Sequence, residues 1–464
     1  MTSKLWITKL CLAPEHNLLA LCLKFCCIAS SRSIKSSKNL IHQDRQKNFK
    51  KLKGRTNKNK QMDLRVGQVA FNNVQFDARY GFRANFVEGW NSLQHPVRRS
   101  YEEICYNEDF CEATAKYLGL PSQVHIAPTD KVFICQLSLS IWTKFKSIQQ
   151  SPELLAKKMK IQDSVARLIK RPHYGLYIVG STFSGFGCKV SDLDMCLIIP
   201  PIFESFNYKF SIIEVLRGIK YALDRMPDRY EKIELIDKAK VPILKFCDRE
   251  SGVYVDLSIN CDVGLRNTHL LHSYARVDWR VRPLAVIVKL WAKFQGINDA
   301  RSTTLSSYAL SLMVIHYLQC GTSPRVLPCL QQMYDRNFHP NVALGRLKPL
   351  TEYELNRFCS KNQESIGDLF LGFLDYYANR FNFRDHCMSV RLGGKIPVKD
   401  LNTEWNYDNY YGSEWKFISI EEPFDRSNVG RTVYGLEGFE KIMNVFTDSY
   451  KKLKETRELS SVLR

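Results

Sequence analysis

The stretch "YIVGSTFSGFGCKVSDLDMCLIIP", residues 177–200, passes from an apolar run through Gly180 and Ser181 to two aspartates, Asp192 and Asp194, at the start of a second apolar run. A strand rises about 3.3 Å per residue and alternates faces, so these two carboxylates point the same way roughly 6–7 Å apart while Leu193 and Met195 face the core. They repel each other unless positive charge lies between them. A pair of divalent ions about 3.5–4 Å apart, hard enough to take oxygen ligands, fits that gap. Gly180 and Ser181 fall in a strand-to-helix turn, where backbone amides and a small hydroxyl suit a phosphate. Taken alone, the two aspartates fit equally an exposed turn that solvates the start of a strand.

A third carboxylate decides between these readings. In "SGVYVDLSIN" the alternation puts Val253, Val255, Leu257 and Ile259 on one face and Tyr254, Asp256, Ser258 and Asn260 on the other. Asp256 is a lone acid among β-branched and apolar residues, a costly place without a cationic partner. Three aspartates on neighbouring strands behind a Gly-Ser turn make a two-metal site for in-line attack on a nucleoside triphosphate.

The elements that must position them are legible. "VFICQLSLSIWTKFKSIQQ" and "SPELLAKKMKIQDSVARLIKRP" read as helices, the second opened by Ser151 and Pro152 and closed near Pro172. Apolar runs at 176–179, 193–199, 241–247 and 253–259 read as strands. After residue 261 the period is helical, in "WRVRPLAVIVKLWAKFQGI", "STTLSSYALSLMVIHYLQ" and "SIGDLFLGFLDYYANRFNF", where Ile366, Leu369, Phe370, Phe373, Leu374 and Tyr377 share one face. The expected class is α+β, a small mixed α/β catalytic domain with a larger, mainly helical one. The boundaries read as a basic tail over 1–65, a linker or weakly structured extension over 66–130, a first helix over 131–150 that packs with the helical domain, the catalytic domain over 151–260 and the helical domain over 261–455.

Gly-Ser, ten residues, Asp-x-Asp and a later third Asp resemble the signature of the DNA polymerase beta-like nucleotidyltransferases. Downstream, "INCDVGLRNTHLL", "RVRPLAVIVKLWAKFQGINDA", "GTSP", "IGDLFLGFLDYYA" and "ISIEEPFDRSNVGRTV" resemble cytoplasmic poly(A) RNA polymerases of the GLD-two type, relatives of the terminal uridylyltransferases, over about 130–464. The resemblance implies that Asp192, Asp194 and Asp256 bind two Mg2+ ions, with Mn2+ as a substitute, and that Asp256 also brings the RNA 3′-hydroxyl to its metal. It implies further that Gly180 and Ser181 hold the triphosphate with Lys289 and Lys293, that Asn267 and Thr268 lie near ribose and base, that Tyr308 stacks on the base beside Ser307, and that Asn428 belongs to the nucleotide contacts. From the residues alone, Lys289 and Lys293 also fit a solvated helix face, Tyr308 a core position and Asn267 a helix cap. Uridylyl-transferring relatives carry an extra His before the Asn, where Ser427 here runs directly into Asn428, which favours ATP over UTP. A terminal uridylyltransferase and an inert RNA-binding scaffold are the competing readings.

Charge and cysteine content bound the setting. The 464 residues carry a formal charge of +20. Residues 1–60 hold 14 Lys and Arg against Glu15 and Asp44, a balance that suits a polyanion such as nucleic acid. The first 38 residues, basic, Ser-rich and poor in acid, resemble a mitochondrial transit peptide; a disordered basic tail fits them as well. Fifteen cysteines with no Cys-x-x-Cys pair read as reduced thiols of a cytoplasmic protein without a structural zinc. No run of 18 apolar residues suggests a membrane span. With no RNA-recognition motif, KH-type loop or zinc knuckle to read RNA sequence, the expected partners are RNA 3′ ends and a separate sequence-specific RNA-binding protein as recruiter.

Overall fold

Five strands assemble into one sheet whose inner strands carry two of the three aspartates. The computed structural model describes residues 128–463 apart from 170, 172–173, 200–207, 240 and 403–414. The expected basic tail, with its transit-peptide reading, and all but the last three residues of the extension lie outside the described residues.

Two helices open the fold, α1 (Pro128–Ile148) and α2 (Pro152–Ile169). Ser151 caps α2, its hydroxyl accepting from the Leu154 amide at 3.3 Å. Then follow β1 (Gly175–Val179), a single turn α3 (Ser181–Ser184), β2 (Leu193–Ile198), α4 (Tyr208–Asp224), β3 (Tyr230–Ile236), β4 (Ile243–Asp248) and β5 (Val253–Ile259). The sheet order is β1-β2-β5-β4-β3, with β2 and β5 parallel and the other neighbours antiparallel. Leu193, Met195, Val255 and Leu257 are fully buried on its inner face against Ile161 and Val165 of α2 and Leu216 of α4. Burying side chains of this size contributes about 1.5–3 kcal/mol each.

The second body is built on α5 (Asp262–Val277), α6 (Val281–Phe294), α7 (Ser307–His316), α8 (Ile366–Asp375) and α9 (Leu436–Thr456). Its core takes in Leu284, Val288 and Trp291 of α6, Leu310 and Val314 of α7, and Leu369, Phe370, Phe373 and Leu374 of α8. Phe133, Leu137 and Ile141 of α1 belong to this core, and Ser138 hydrogen-bonds Ser365 at 3.0 Å. The helical face read from Ile366 to Tyr377 is buried throughout, although the helix relaxes into a π turn over Tyr376–Arg380.

Some elements depart from the sequence reading. α4 and β3 escape it, since β3, "YEKIELI", is an edge strand whose charged residues stay at the surface. The helical body also holds a small sheet of β6 (His386–Ser389), β7 (Gly394–Pro397) and β8 (Ile420–Glu421). Strands of four and two residues are too short for alternation to register.

Candidate active site

The register of the sheet assembles the carboxylates. Asp194 on β2 lies directly beside Asp256 on β5, and Asp256 beside Lys245 on β4, so two acids and a lysine form one row across three strands. Asp192 stands just before β2 and is exposed. Burial pushes the Asp194 carboxyl up to about 6, aided by the charges of Asp256 and Asp192. Asp192 is raised too, by burial and Asp256, against the pull of Lys245, Lys158 and Lys293. Both shifts have the sign that burial gives a carboxylate, and the neighbouring acids add to it.

Lys245 ion-pairs with Asp256 Oδ2. Among the described residues, no three His, Cys, Asp or Glu side chains close into a ready-made metal cage. Mg2+ is ordinarily held by one or two carboxylates together with phosphate oxygens rather than by an all-protein cage. The donor set, three hard carboxylates at mutual electrostatic cost, fits such ions.

Gly180 is required where it is. Its φ is +67°, and a Cβ there would meet Asp194 Oδ2 at 2.3 Å. Its amide, however, is not left for a phosphate: it donates to Thr268 Oγ1 at 2.9 Å. Thr268, buried on α5, donates in turn to the Gly264 carbonyl at 2.7 Å. Thr268 thus holds the Gly180 turn in place. Ser181, half-buried, keeps its place at the head of α3.

Besides Lys245, three lysines face the acids. Lys289, on α6, donates to the Phe186 carbonyl at 3.2 Å, and burial pushes its pKa down against the pull of Cys188 and Asp194. Lys293, one turn on, is exposed and acts on Asp192. The third went unread. Lys158 of α2 is fully buried, donating to Gln150 Oε1 at 2.9 Å, Thr182 Oγ1 at 3.0 Å and the Asp192 carbonyl at 3.3 Å. Burial pushes it down to about 8, opposed by Asp194, Cys188 and Asp192. Lys157 and Lys160 beside it are exposed and disguise it; the available signal is its place between Leu155 and Ile161 on the apolar stripe of the helix. Lys158→Met is expected to destabilise the protein by about 3 kcal/mol, because Gln150 and Thr182 each lose one hydrogen bond and the acids lose a buried cation. A thermal melt reads this, and a midpoint within a degree of wild type would show that Lys158 does not tie α2 to the acidic edge.

A second cluster lies on the helical body. Tyr308 on α7 donates to Glu422 Oε1 at 3.1 Å, and Asn267 acts on both. Asn267 Oδ1 is buried with no hydrogen-bond partner, an orphaned acceptor beside an aromatic ring. Ser307 is exposed, its hydroxyl donating to Asn298 Oδ1 at 3.1 Å. Glu422 was not foreseen: burial pushes its carboxyl up to about 7, although it accepts from the amides of Phe424 at 2.7 Å and Asp425 at 2.5 Å. Its only trace in the sequence is the acidic pair before Pro423. Asn428 does not join the cluster as a nucleotide contact. Its side chain is fully buried, accepting from the amides of Ile420 at 3.0 Å and Gly430 at 2.8 Å and donating to the Ile418 carbonyl at 3.0 Å, so it shapes the loop instead.

Comparison with known proteins matches this arrangement. Residues 137–276 match the family model "Poly(A) RNA polymerase, mitochondrial-like, central palm domain", and residues 365–428 match "Cid1 family poly A polymerase". The solved structure of a GLD-2/RNP-8 complex superposes with a TM-score of 0.61 at 36% identity, covering 71% of this chain and 98% of that one. The chain belongs to the GLD-2 family of poly(A) RNA polymerases. The GLD2 enzyme of Mus musculus is 40% identical over 333 residues, 71% of this chain and 66% of its own length. The gld-2 homolog A of Drosophila melanogaster is 40% identical over 334 residues, 70% of this chain but 24% of its own length. The chain thus spans less than two thirds of these curated relatives. Cid1 poly(U) polymerase, solved with MgGTP, superposes with a TM-score of 0.56 at 26% identity, covering 69% of this chain and 94% of that one. In GLD-2 terms the palm match contains all three aspartates and Lys158, and the second match ends on the loop that carries Glu422 and Asn428.

Proposed function

We propose that the chain adds AMP from ATP, without a template, to the 3′ ends of RNA in the cytoplasm. The observation that carries this is the row of Asp194, Asp256 and Lys245 with Asp192 at its edge, set beside the Gly180–Ser181 turn. The oxygen of the RNA 3′-hydroxyl bonds to the α-phosphorus of ATP, the α–β bridging bond breaks, and pyrophosphate leaves as the hydroxyl proton passes to solvent. Asp192, Asp194 and Asp256 would hold two Mg2+ ions, or Mn2+, which when bound lower the pKa of the attacking hydroxyl and neutralise charge on the triphosphate. Asp256, paired with Lys245 when no substrate is bound, would also orient the attacking 3′-hydroxyl, and Lys245 would then offset phosphate charge. Ser181, Lys289 and Lys293 form the clamp on the departing pyrophosphate. Tyr308 stacks on the adenine, with the unpartnered Asn267 Oδ1 and the Glu422 carboxyl at its edge.

Two solved GLD-2 structures, titled as complexes with RNP-8 and GLD-3, support a protein partner that brings the RNA. The test is direct. Incubated with a 15-nucleotide oligo(A), Mg2+ and one nucleotide at a time, the protein should build a ladder with ATP, a weaker one with UTP and little with CTP or GTP. A UTP ladder stronger than the ATP ladder selects the uridylyl-transferring reading, and no ladder with any nucleotide selects the inert scaffold.

A further inference from the structure

Tyr254 lies two residues before Asp256 on β5, on the same face of the sheet, and is 46% exposed. In register it sits beside Cys247 of β4 and, one step before the Leu193–Val255 pair, beside Asp192. Nearly half of this ring is thus open to water beside the acidic site. Facing it is Lys232, exposed on the edge strand β3, with a φ of +53° in the irregular stretch between Glu231 and Glu234. That conformation is costly for a residue with a Cβ, and such irregularities re-aim side chains. The ammonium ends 2.5 Å from the Tyr254 hydroxyl and 4.9 Å from the ring centroid, at the hydroxyl end of the ring rather than over its centre. The pair therefore presents an aromatic face and a cation side by side.

The topology says which substrate comes to that side. Gly180 and Ser181 follow β1, which flanks β2 on one side, while β5, β4 and β3 lie on the other. Lys289, bonded to Phe186 just after that turn, stands on the β1 side. In-line displacement puts the attacking hydroxyl and the departing pyrophosphate on opposite sides of the phosphorus. With the pyrophosphate on the β1 side, the RNA 3′ end must arrive over β5 and β4.

We propose that Tyr254 and Lys232 form the platform for the 3′-terminal nucleotides of single-stranded RNA, the ring stacking on a base and the ammonium meeting a backbone phosphate. Stacking of this kind tolerates any base, as an enzyme extending its own product requires. The inference rests on the adenylyl-transfer reading and adds the binding site of the acceptor strand.

The test uses the full chain and a 5′-labelled 15-nucleotide oligo(A). By fluorescence anisotropy, Tyr254→Ala should raise the Kd for the RNA roughly tenfold, as loss of one stacked base does, and should raise the KM for RNA in parallel while the KM for ATP holds. Tyr254→Phe, which keeps the ring, should stay within about twofold of wild type. Tyr254→Leu, which keeps apolar bulk for the fold, should lose as much as Tyr254→Ala. Lys232→Ala should flatten the salt dependence of binding by about 0.7 in log–log slope, one phosphate contact on a single strand. A wild-type Kd in both Tyr254→Ala and Tyr254→Leu overturns the platform, and so does a loss in Tyr254→Phe equal to that in Tyr254→Ala. Wild-type protein that neither binds nor extends the RNA overturns the adenylyl-transfer reading instead, so the two failures are told apart.

Discussion

Asp194→Asn is expected to abolish AMP addition, by at least about a hundredfold, while raising the melting temperature of the metal-free protein by a few degrees. The first half follows from the proposed reaction: if Asp194 is a shared metal ligand, its loss removes several kcal/mol of transition-state stabilisation. The second follows from electrostatics. The folded protein holds the Asp194 carboxyl up at about 6, above its unfolded value, because it is buried near Asp256 and Asp192. A carboxyl raised on folding costs nothing below its unfolded pKa and its full penalty above its folded one, so at pH 7–8 the ionised group destabilises the fold by about 2–3 kcal/mol. Asn keeps the shape without the charge. The melting-temperature gain should therefore shrink as the pH is lowered from 7 through 6 and vanish near 4. Added Mg2+ should stabilise wild type and leave the variant nearly unmoved, since an ion that binds only the folded state raises its stability. Differential scanning in EDTA and in Mg2+, beside a primer-extension gel, reads all of this. A variant that keeps a tenth of wild-type activity, or that melts below wild type at pH 7.5 in EDTA, would contradict the role assigned to Asp194.

The acids were legible because their pattern has two independent parts, spacing and alternation. Asp192 and Asp194 sit one residue apart before an apolar run, and Asp256 interrupts an otherwise apolar strand. Each signal is local, so it survives without knowledge of the fold. Lys158 and Lys245 were not legible, because their meaning lies in register. Lys245 matters since antiparallel pairing sets it beside Asp256, and Lys158 since α2 packs its stripe against the sheet. Lysines on a helix or strand are ordinarily solvated, and nothing in composition marks these two. What the sequence could not show for Thr268 and Asn428 is their hydrogen-bonding, since the hydroxyl of one is tied to the Gly180 turn and the amide of the other to the Ile418–Gly430 backbone, contacts made only once the chain has folded. Glu422 was missed because burial, not type, gives it its chemistry, and burial is a property of the assembled loop.

Inserting a His between Ser427 and Asn428 should shift the ratio of kcat/KM for ATP to that for UTP by about ten- to a hundredfold toward UTP, each 1.36 kcal/mol being a factor of about ten. The prediction rests on how the loop is tied together. The Glu422 amide donates to the Ser427 carbonyl at 2.8 Å, Ser427 donates through its hydroxyl to Asp425 Oδ1 at 2.6 Å, and Asn428 anchors the end of the turn in the core. Glu422 in turn accepts from Tyr308, so a residue added ahead of the Asn428 anchor enters the space beside the stacking ring. An imidazole N–H there finds an acceptor in a uracil carbonyl, whereas its bulk crowds the larger adenine. Hydrogen bond and steric penalty act in the same direction. Because Asn428 is held by three backbone groups, the anchor should survive and the extra residue should bulge away from the buried core toward the Tyr308 ring, which a melting temperature close to wild type would register. A Gly inserted at the same junction separates loop length from imidazole: it should slow both nucleotides without moving their ratio. If the His insertion still extends RNA with an unchanged ratio, the base is chosen by Asn267, Tyr308 and Glu422 alone, and the direct Ser427–Asn428 junction has no part in favouring ATP.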